Sequence, residues 1–143
     1  MVNEHINDNF NVILIGVIFD PAKRKILIGR QEGDPKLGKK FTWGFPGAYL
    51  KHGDDMENVL KKDIKAKTGY DIKSLGTIFS KVYPENKKFL AIYFLCETFK
   101  GKMKAGGFFK ELAWVSPDEL EKRFTTSFHP RLKEYIMNLK KTF

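Results

Sequence analysis

Residues 41–70 read Phe-Thr-Trp-Gly-Phe-Pro-Gly-Ala-Tyr-Leu-Lys-His-Gly-Asp-Asp-Met-Glu-Asn-Val-Leu-Lys-Lys-Asp-Ile-Lys-Ala-Lys-Thr-Gly-Tyr. The first ten mix aromatic side chains with Gly44, Pro46 and Gly47. A regular central strand does not keep such a proline, so Phe41–Leu50 reads as a bent, close-packed segment. Lys51–Asp55 is a turn, and Asp55 is a suitable N-cap for a helix beginning at Met56. Met56, Val59, Leu60 and Ile64 recur at helical spacing, and Gly69 stands where a left-handed residue ends a helix.

Outward from this stretch the chain alternates between strands and helices. Phe10–Phe19 is almost continuously apolar and stops at Asp20-Pro21, which predicts a buried strand. Lys25–Gln31 is a second strand, joined to the first as a hairpin across Asp20–Lys23. Gln31–Lys40, with Gly33, Pro35 and Gly38, is an exposed basic loop. Ile72–Val82 and Phe89–Thr98 are strands around a turn at Pro84–Lys87, with a basic loop after them at Gly101–Gly107. Leu112–Val115 is a short strand. Ser116-Pro117-Asp118-Glu119 is a capping box with proline at N1, and a last helix from Pro130 carries Leu132, Tyr135, Ile136 and Leu139 on one face. The order implies one α/β domain around a single sheet, residues 10–143, behind a flexible N-terminus at residues 1–9.

Composition bounds the function classes. The chain has 143 residues, 42% hydrophobic, 14% aromatic and 30% charged, a globular balance rather than a disordered one. Cys96 is the one cysteine, which excludes a disulfide scaffold. No apolar run approaches the roughly 20 residues of a membrane helix, and Met1–His5 lacks the layout of a signal peptide. A soluble cytoplasmic chain without a membrane partner is expected. The net charge of +9 sets up a field attractive to nucleotides, nucleic acid or acidic lipids, although lysines also serve solubility alone.

The Gly44-Phe45-Pro46-Gly47 segment, Gly53, and the helix ending at Thr68-Gly69-Tyr70 resemble the Nudix (MutT-like) hydrolase superfamily. The order of the flanking elements agrees along most of the chain, including Gly29-Arg30 and Trp114–Leu120. The resemblance implies an α/β/α sandwich with a mixed sheet. It also implies Mg²⁺-dependent cleavage of a nucleoside diphosphate linked to another group.

The family's box runs G, five residues, E, seven residues, R-E-U-x-E-E-x-G-U, with U bulky and apolar. Aligned on Gly69, its first glycine falls on Ala48, its first glutamate on Asp54, and its arginine and adjacent glutamate on Lys62 and Asp63. U is Ile64, the paired glutamates fall on Ala66 and Lys67, and the closing glycine precedes Tyr70. Positions 63, 66 and 67 share a helix face. Glutamates there converge on a hard divalent cation, which neutralises a diphosphate and activates water. Here that face offers only Asp63, and Lys67 puts a cation where the family places a metal. The box is degenerate.

The sequence supports three readings. In the first, Lys67, Lys51 and Lys62, with Arg30 as a further phosphate contact and Trp43 and Phe45 as stacking side chains, bind a phosphorylated ligand or nucleotide with little turnover. Against this stand surface readings: Asp63 pairing with a neighbouring lysine, Asp54 as a helix-start residue, Arg30 in an ion pair, and Trp43 and Phe45 as packing. In the second, hydrolysis persists: Asp63 is the residual catalytic carboxylate, and Asp54, Asp63 and Glu111 hold Mg²⁺, with Glu97 and Glu85 as further acids. In the third, the basic loops Lys36–Lys40 and Lys100–Lys104, with Phe41, Trp43, Phe108 and Phe109, bind nucleic acid. His5, His52 and His129 show no zinc spacing, although His52 is next to the box, and Cys96 reads as a buried inert thiol. Monomer and homodimer are both open.

Overall fold

One strand organises the sheet. β1 (Asn11–Asp20) is buried from Leu14 through Phe19, as a strand covered on both faces must be. The computed structural model describes residues 11–32, 41–82, 87–124 and 129–142. The expected flexible N-terminus, residues 33–40 of the expected basic loop, and Pro84–Asn86 of the expected turn lie outside these residues.

β6 (Phe89–Gly101) runs parallel to β1 along Asn11–Ile18. The opposite edge of β1 serves two partners in succession. β4 (Gly47–Leu50) pairs antiparallel with Val12–Ile15, and β2 (Lys25–Glu32) with Ile18–Asp20. Beyond that hairpin β2 leaves β1 and pairs with β3 (Phe41–Gly44) on one edge and β7 (Phe109–Val115) on the other. β5 (Tyr70–Val82) closes the far side against β6. The seven strands form one mixed sheet that is split between β4 and β3.

Side chains alternate along β1 between two cores. Ile15, Val17 and Phe19 pack with Leu120 of α2 (Pro117–Arg123) and with Leu132, Ile136 and Leu139 of α3 (Pro130–Thr142). Leu14 and Ile18 pack with Leu60 and Ile64 of α1 (Met56–Thr68) on the other face. Helices therefore cover both faces, giving the expected sandwich.

Local differences from the sequence reading have local causes. The bent segment is two short strands, β3 and β4, broken at Phe45-Pro46. β5 begins already at Tyr70, because Tyr70 pairs with Gly101 and so lengthens both partners. β7 begins at Phe109, opposite Gln31. The Ser116 side chain makes no capping hydrogen bond. Instead the Glu119 N–H donates to the Ser116 carbonyl at 3.0 Å, which satisfies that donor through the backbone.

The ends of α1 agree with the sequence. Asp55 accepts from the Asn58 N–H at 3.2 Å. Gly69 takes φ 82° and donates its N–H to the Lys65 carbonyl at 3.0 Å. A Cβ on Gly69 would run into the Lys102 carbonyl oxygen. Gly69→Ala is therefore expected to destabilise the fold by about 2 kcal/mol, from left-handed strain and the clash together. Urea unfolding checks this, and a midpoint equal to that of the parent would contradict it.

Cys96 is fully buried in the α1-side core. Burial, and secondarily the negative charge of Glu57, push its thiol up from 9.0 to about 12. An acid whose native pKa is raised supports the fold below its unfolded value and loses that contribution as pH climbs towards the native one. Stability is thus expected to fall between about pH 9 and 12, and Cys96→Ala should flatten that slope. The native thiol should resist a disulfide reagent at pH 8 and react on unfolding.

Candidate functional site

The split in the sheet opens into a cleft of about 1100 Å³. Its walls come from both faces of the molecule. Ile13, Ile15 and Phe45 contribute from one side, and Val59, Lys62, Asp63, Ala66 and Lys67 of α1 from the other. Gln31 and Glu32 at the end of β2, Ala48 and Tyr49 of β4, and Gly107–Lys110 complete the lining. The α1 residues recur at three and four, so one face of that helix looks into the cleft.

Lys67 is the most constrained charge there. Its ammonium donates to the Gly47 carbonyl oxygen at 2.6 Å and lies 3.0 Å from Asp63 Oδ2. Its side chain is only 17% exposed. Asp63 Oδ2 is buried and has no aligned hydrogen bond, so charge alone joins it to Lys67. The lysine stem passes Gly107, where an added Cβ would come within 3.1 Å of Cγ. The same loop closes on the end of α1: the Gly106 N–H donates to the Lys67 carbonyl at 3.0 Å and the Lys104 N–H to the Thr68 carbonyl at 2.9 Å. Buried Thr68 anchors that turn by donating its hydroxyl to the Ile64 carbonyl at 2.7 Å.

The other expected residues divide between those in the cleft and those beside it. Lys51, Asp54, Lys62 and Phe45 line it. Asp54 Oδ2 accepts from the Lys51 N–H at 2.9 Å, while the Asp54 N–H donates back to the Lys51 carbonyl at 3.1 Å. That carboxylate staples the turn before α1. Phe45 packs edge-on to Phe124 and Tyr93, at 4.9 and 6.2 Å between ring centres. Arg30, Trp43 and Glu111 are not among the lining residues. Arg30 Nε donates to Glu111 Oε1 at 2.8 Å across β2 and β7. Trp43 packs on the α3-side core with the Arg123 guanidinium 5.0 Å from its ring. Phe109 is buried over Gly29, whereas Phe108 is 74% exposed. Glu97 stands opposite Lys73 on β6 and β5, and the His129 ring lies tilted against Phe79. His52 is exposed in the turn before α1, and Glu85 lies outside the described residues.

Sequence reasoning did not place Glu32, Tyr49 or Lys110 in the cleft, nor the Gly47 carbonyl as a partner of Lys67. The signal for Lys110 was its position just past Gly106-Gly107; the others depend on where the sheet splits. Among the described residues, Lys51, Lys62 and Lys110 have no carboxylate within ion-pair distance.

These residues do not fit a Mg²⁺ site. Magnesium needs near-octahedral oxygen ligands, yet Ala66 supplies none and the buried oxygen of Asp63 already faces an ammonium. Among the described residues no three His, Cys, Asp or Glu side chains are placed to hold a metal, so Asp54, Asp63 and Glu111 are not gathered into such a group. No described helix is long and apolar enough to cross a membrane.

Solved structures share the architecture. A NUDIX hydrolase from Nitrosomonas europaea is 18% identical, with a TM-score of 0.69 over 92% of this chain and 88% of that one. An ADP-ribose pyrophosphatase from Streptococcus suis is 17% identical, with a TM-score of 0.64 over 92% and 90%. A C. elegans Ap4A hydrolase is 12% identical, with a TM-score of 0.71 over 92% and 99%. Likeness at such identity carries the fold. No curated protein matches the chain significantly. The family model for the NUDIX domain matches residues 10–138, nearly the whole of the folded chain, and the chain belongs to that family.

Proposed function

We propose that this protein binds a nucleotide or another nucleoside-diphosphate-linked ligand in the cleft, and that metal-dependent diphosphate hydrolysis is lost or very weak. One observation carries the reading: the Lys67 ammonium beside Asp63 Oδ2 on the helix face where the family's carboxylates gather a cation. A fixed ammonium lowers the cost of bringing phosphate oxygens to that face. It cannot generate the metal-bound hydroxide that attacks a diphosphate. Lys51, Lys62 and Lys110 add attraction around it, and their charges are not cancelled by ion pairs among the described residues. The ligand class is supported by the names of two fold relatives, an ADP-ribose pyrophosphatase and an Ap4A hydrolase.

Calorimetric titration with ADP-ribose and with pyrophosphate, with and without Mg²⁺, and then a chromatographic assay for release of AMP and ribose 5-phosphate from ADP-ribose or of phosphate from pyrophosphate in the same samples, is the test. Binding is expected without Mg²⁺ and is not strengthened by it, with no release. Release that requires Mg²⁺ would overturn the reading. Lys67→Glu is expected to weaken pyrophosphate binding by about tenfold or more, the equivalent of about 1.4 kcal/mol. Tighter binding by that variant without Mg²⁺ would rule out Lys67 as the cation of the site.

A further inference from the structure

Residues 99–110 read Phe-Lys-Gly-Lys-Met-Lys-Ala-Gly-Gly-Phe-Phe-Lys. They hold four lysines, no acid, and three of the seven large apolar side chains that are well exposed among the described residues. Scattered lysines serve solubility, and single exposed apolar residues need no explanation. This stretch differs in how it is held. Tyr70 and Asp71 face Gly101 and Lys100, whereas Ile72 faces Thr98, so Phe99 is the extra residue of a β-bulge. Its ring is left 67% exposed. From Gly101 the chain crosses the end of α1. An added Cβ on Gly101 would strike the Gly69 carbonyl oxygen, and the Lys104 N–H donates to the Thr68 carbonyl at 2.9 Å. The backbone is thus pinned down, while Lys100, Lys102, Met103 and Lys104 all stay exposed. Asp71, opposite Lys100, is already paired with Lys65 at 3.2 Å. Among the described residues Lys100, Lys102 and Lys104 have no carboxylate within ion-pair distance. None of residues 99–104 lines the cleft. They form a protruding basic surface with apolar tips, not a groove.

We infer that residues 99–104 are a contact surface for an anionic phospholipid bilayer. The three ammoniums meet the charged headgroups, and Phe99 and Met103 enter the boundary between headgroups and acyl chains. Peripheral contact of this kind combines buried apolar area with attraction to anionic lipid, and it needs no spanning segment. It revises the expectation of a chain without a membrane partner, and it does not depend on what the cleft binds. A single strand of nucleic acid would also attract the lysines, but such strands are held in a charged groove with rings for the bases to stack on. Met103 has no ring, and this surface is convex.

Co-sedimentation with phosphatidylcholine vesicles, with and without phosphatidylserine, tests this on the full chain. Partitioning is expected only with phosphatidylserine, and it should weaken as added salt screens the lysines. Lys→Gln at position 100, 102 or 104 should lower it about fivefold, and all three together about 100-fold. Phe99→Ser and Met103→Ser should each lower it by about tenfold, the lower end of what burying such a side chain gives. Val82→Ser, at an exposed site where β5 ends opposite Leu90, should change nothing. The fluorescence added by Phe99→Trp should be quenched by lipids brominated in their acyl chains. All these side chains are exposed, so urea midpoints should match the parent's. A parent that ignores phosphatidylserine, or Phe99→Ser and Met103→Ser partitioning like the parent, would overturn the inference. So would a single-stranded oligonucleotide that displaces the chain from the vesicles and binds Phe99→Ser as well as the parent, which would assign the lysines to nucleic acid. Loss of ligand binding in the cleft would leave these results unchanged, so the two readings fail separately.

Discussion

The architecture depends on one edge of β1. That edge pairs with β4 along Val12–Ile15 and then with β2 along Ile18–Asp20. A strand has one row of hydrogen-bonding groups on each side, so β4 and β2 cannot both accompany β1 along its length. They diverge, and β3 pairs with β2 rather than with β4. The gap between them is the cleft, which is why its lining draws Ile15 from one core and the outer face of α1 from the other. Phe45-Pro46 lies at this parting, where an unbroken strand would bridge the two halves and fill the space. The Pro46 carbonyl still accepts from the Gly16 N–H at 2.9 Å, so the break is tied to β1.

The second constraint is the end of α1. Its last carbonyls must find donors, and they find them in Gly69, Lys104 and Gly106. Gly106 and Gly107 allow the loop to lie directly on Ala66 and the Lys67 stem. Helix termination and site construction are therefore one structural event. The contacts that close the helix also fix Phe108 and confine Lys67, leaving Gly47 and Asp63 as the partners within its reach.

Much of this was legible in the sequence. The period of Met56, Val59, Leu60 and Ile64 and the caps at Asp55 and Gly69 placed α1 within a residue. The apolar run before Asp20-Pro21 placed β1, and the spacing of positions 63, 66 and 67 put them on the helix face that lines the cleft. What was not legible depends on pairs distant in sequence. Arg30 faces Glu111, 81 residues away, because β2 and β7 pair in that register. No local pattern separates an arginine held in that way from one open to a phosphate. Trp43 likewise needs α2 before its packing under Arg123 is defined. The junction of β5 and β6 was drawn too short because Lys100 and Gly101 are poor strand formers on their own, and the ladder with Tyr70 and Asp71 overrides that preference.

The charge pattern of the cleft follows from Ala66 and Lys67, which stand where the resemblance places two carboxylates. A helix face with several glutamates carries an excess of negative charge until metal ions bind, and a diphosphate approaching it without metals is repelled. With Ala66 and Lys67 in those places, the one remaining acid on the face is neutralised by the chain's own ammonium at 3.0 Å. The interaction is partly buried, so water and salt screen it less than a surface pair. Lys51, Lys62 and Lys110 then stand around a face that is already neutral, so on the proposed reading the attraction felt by a phosphate would be set by the chain's own lysines rather than by the metal content of the solution. On the proposed reading, the same residue that supplies the charge takes the place of a metal-binding carboxylate, so affinity for a diphosphate and the power to cleave it, joined in a metal site, would be separated.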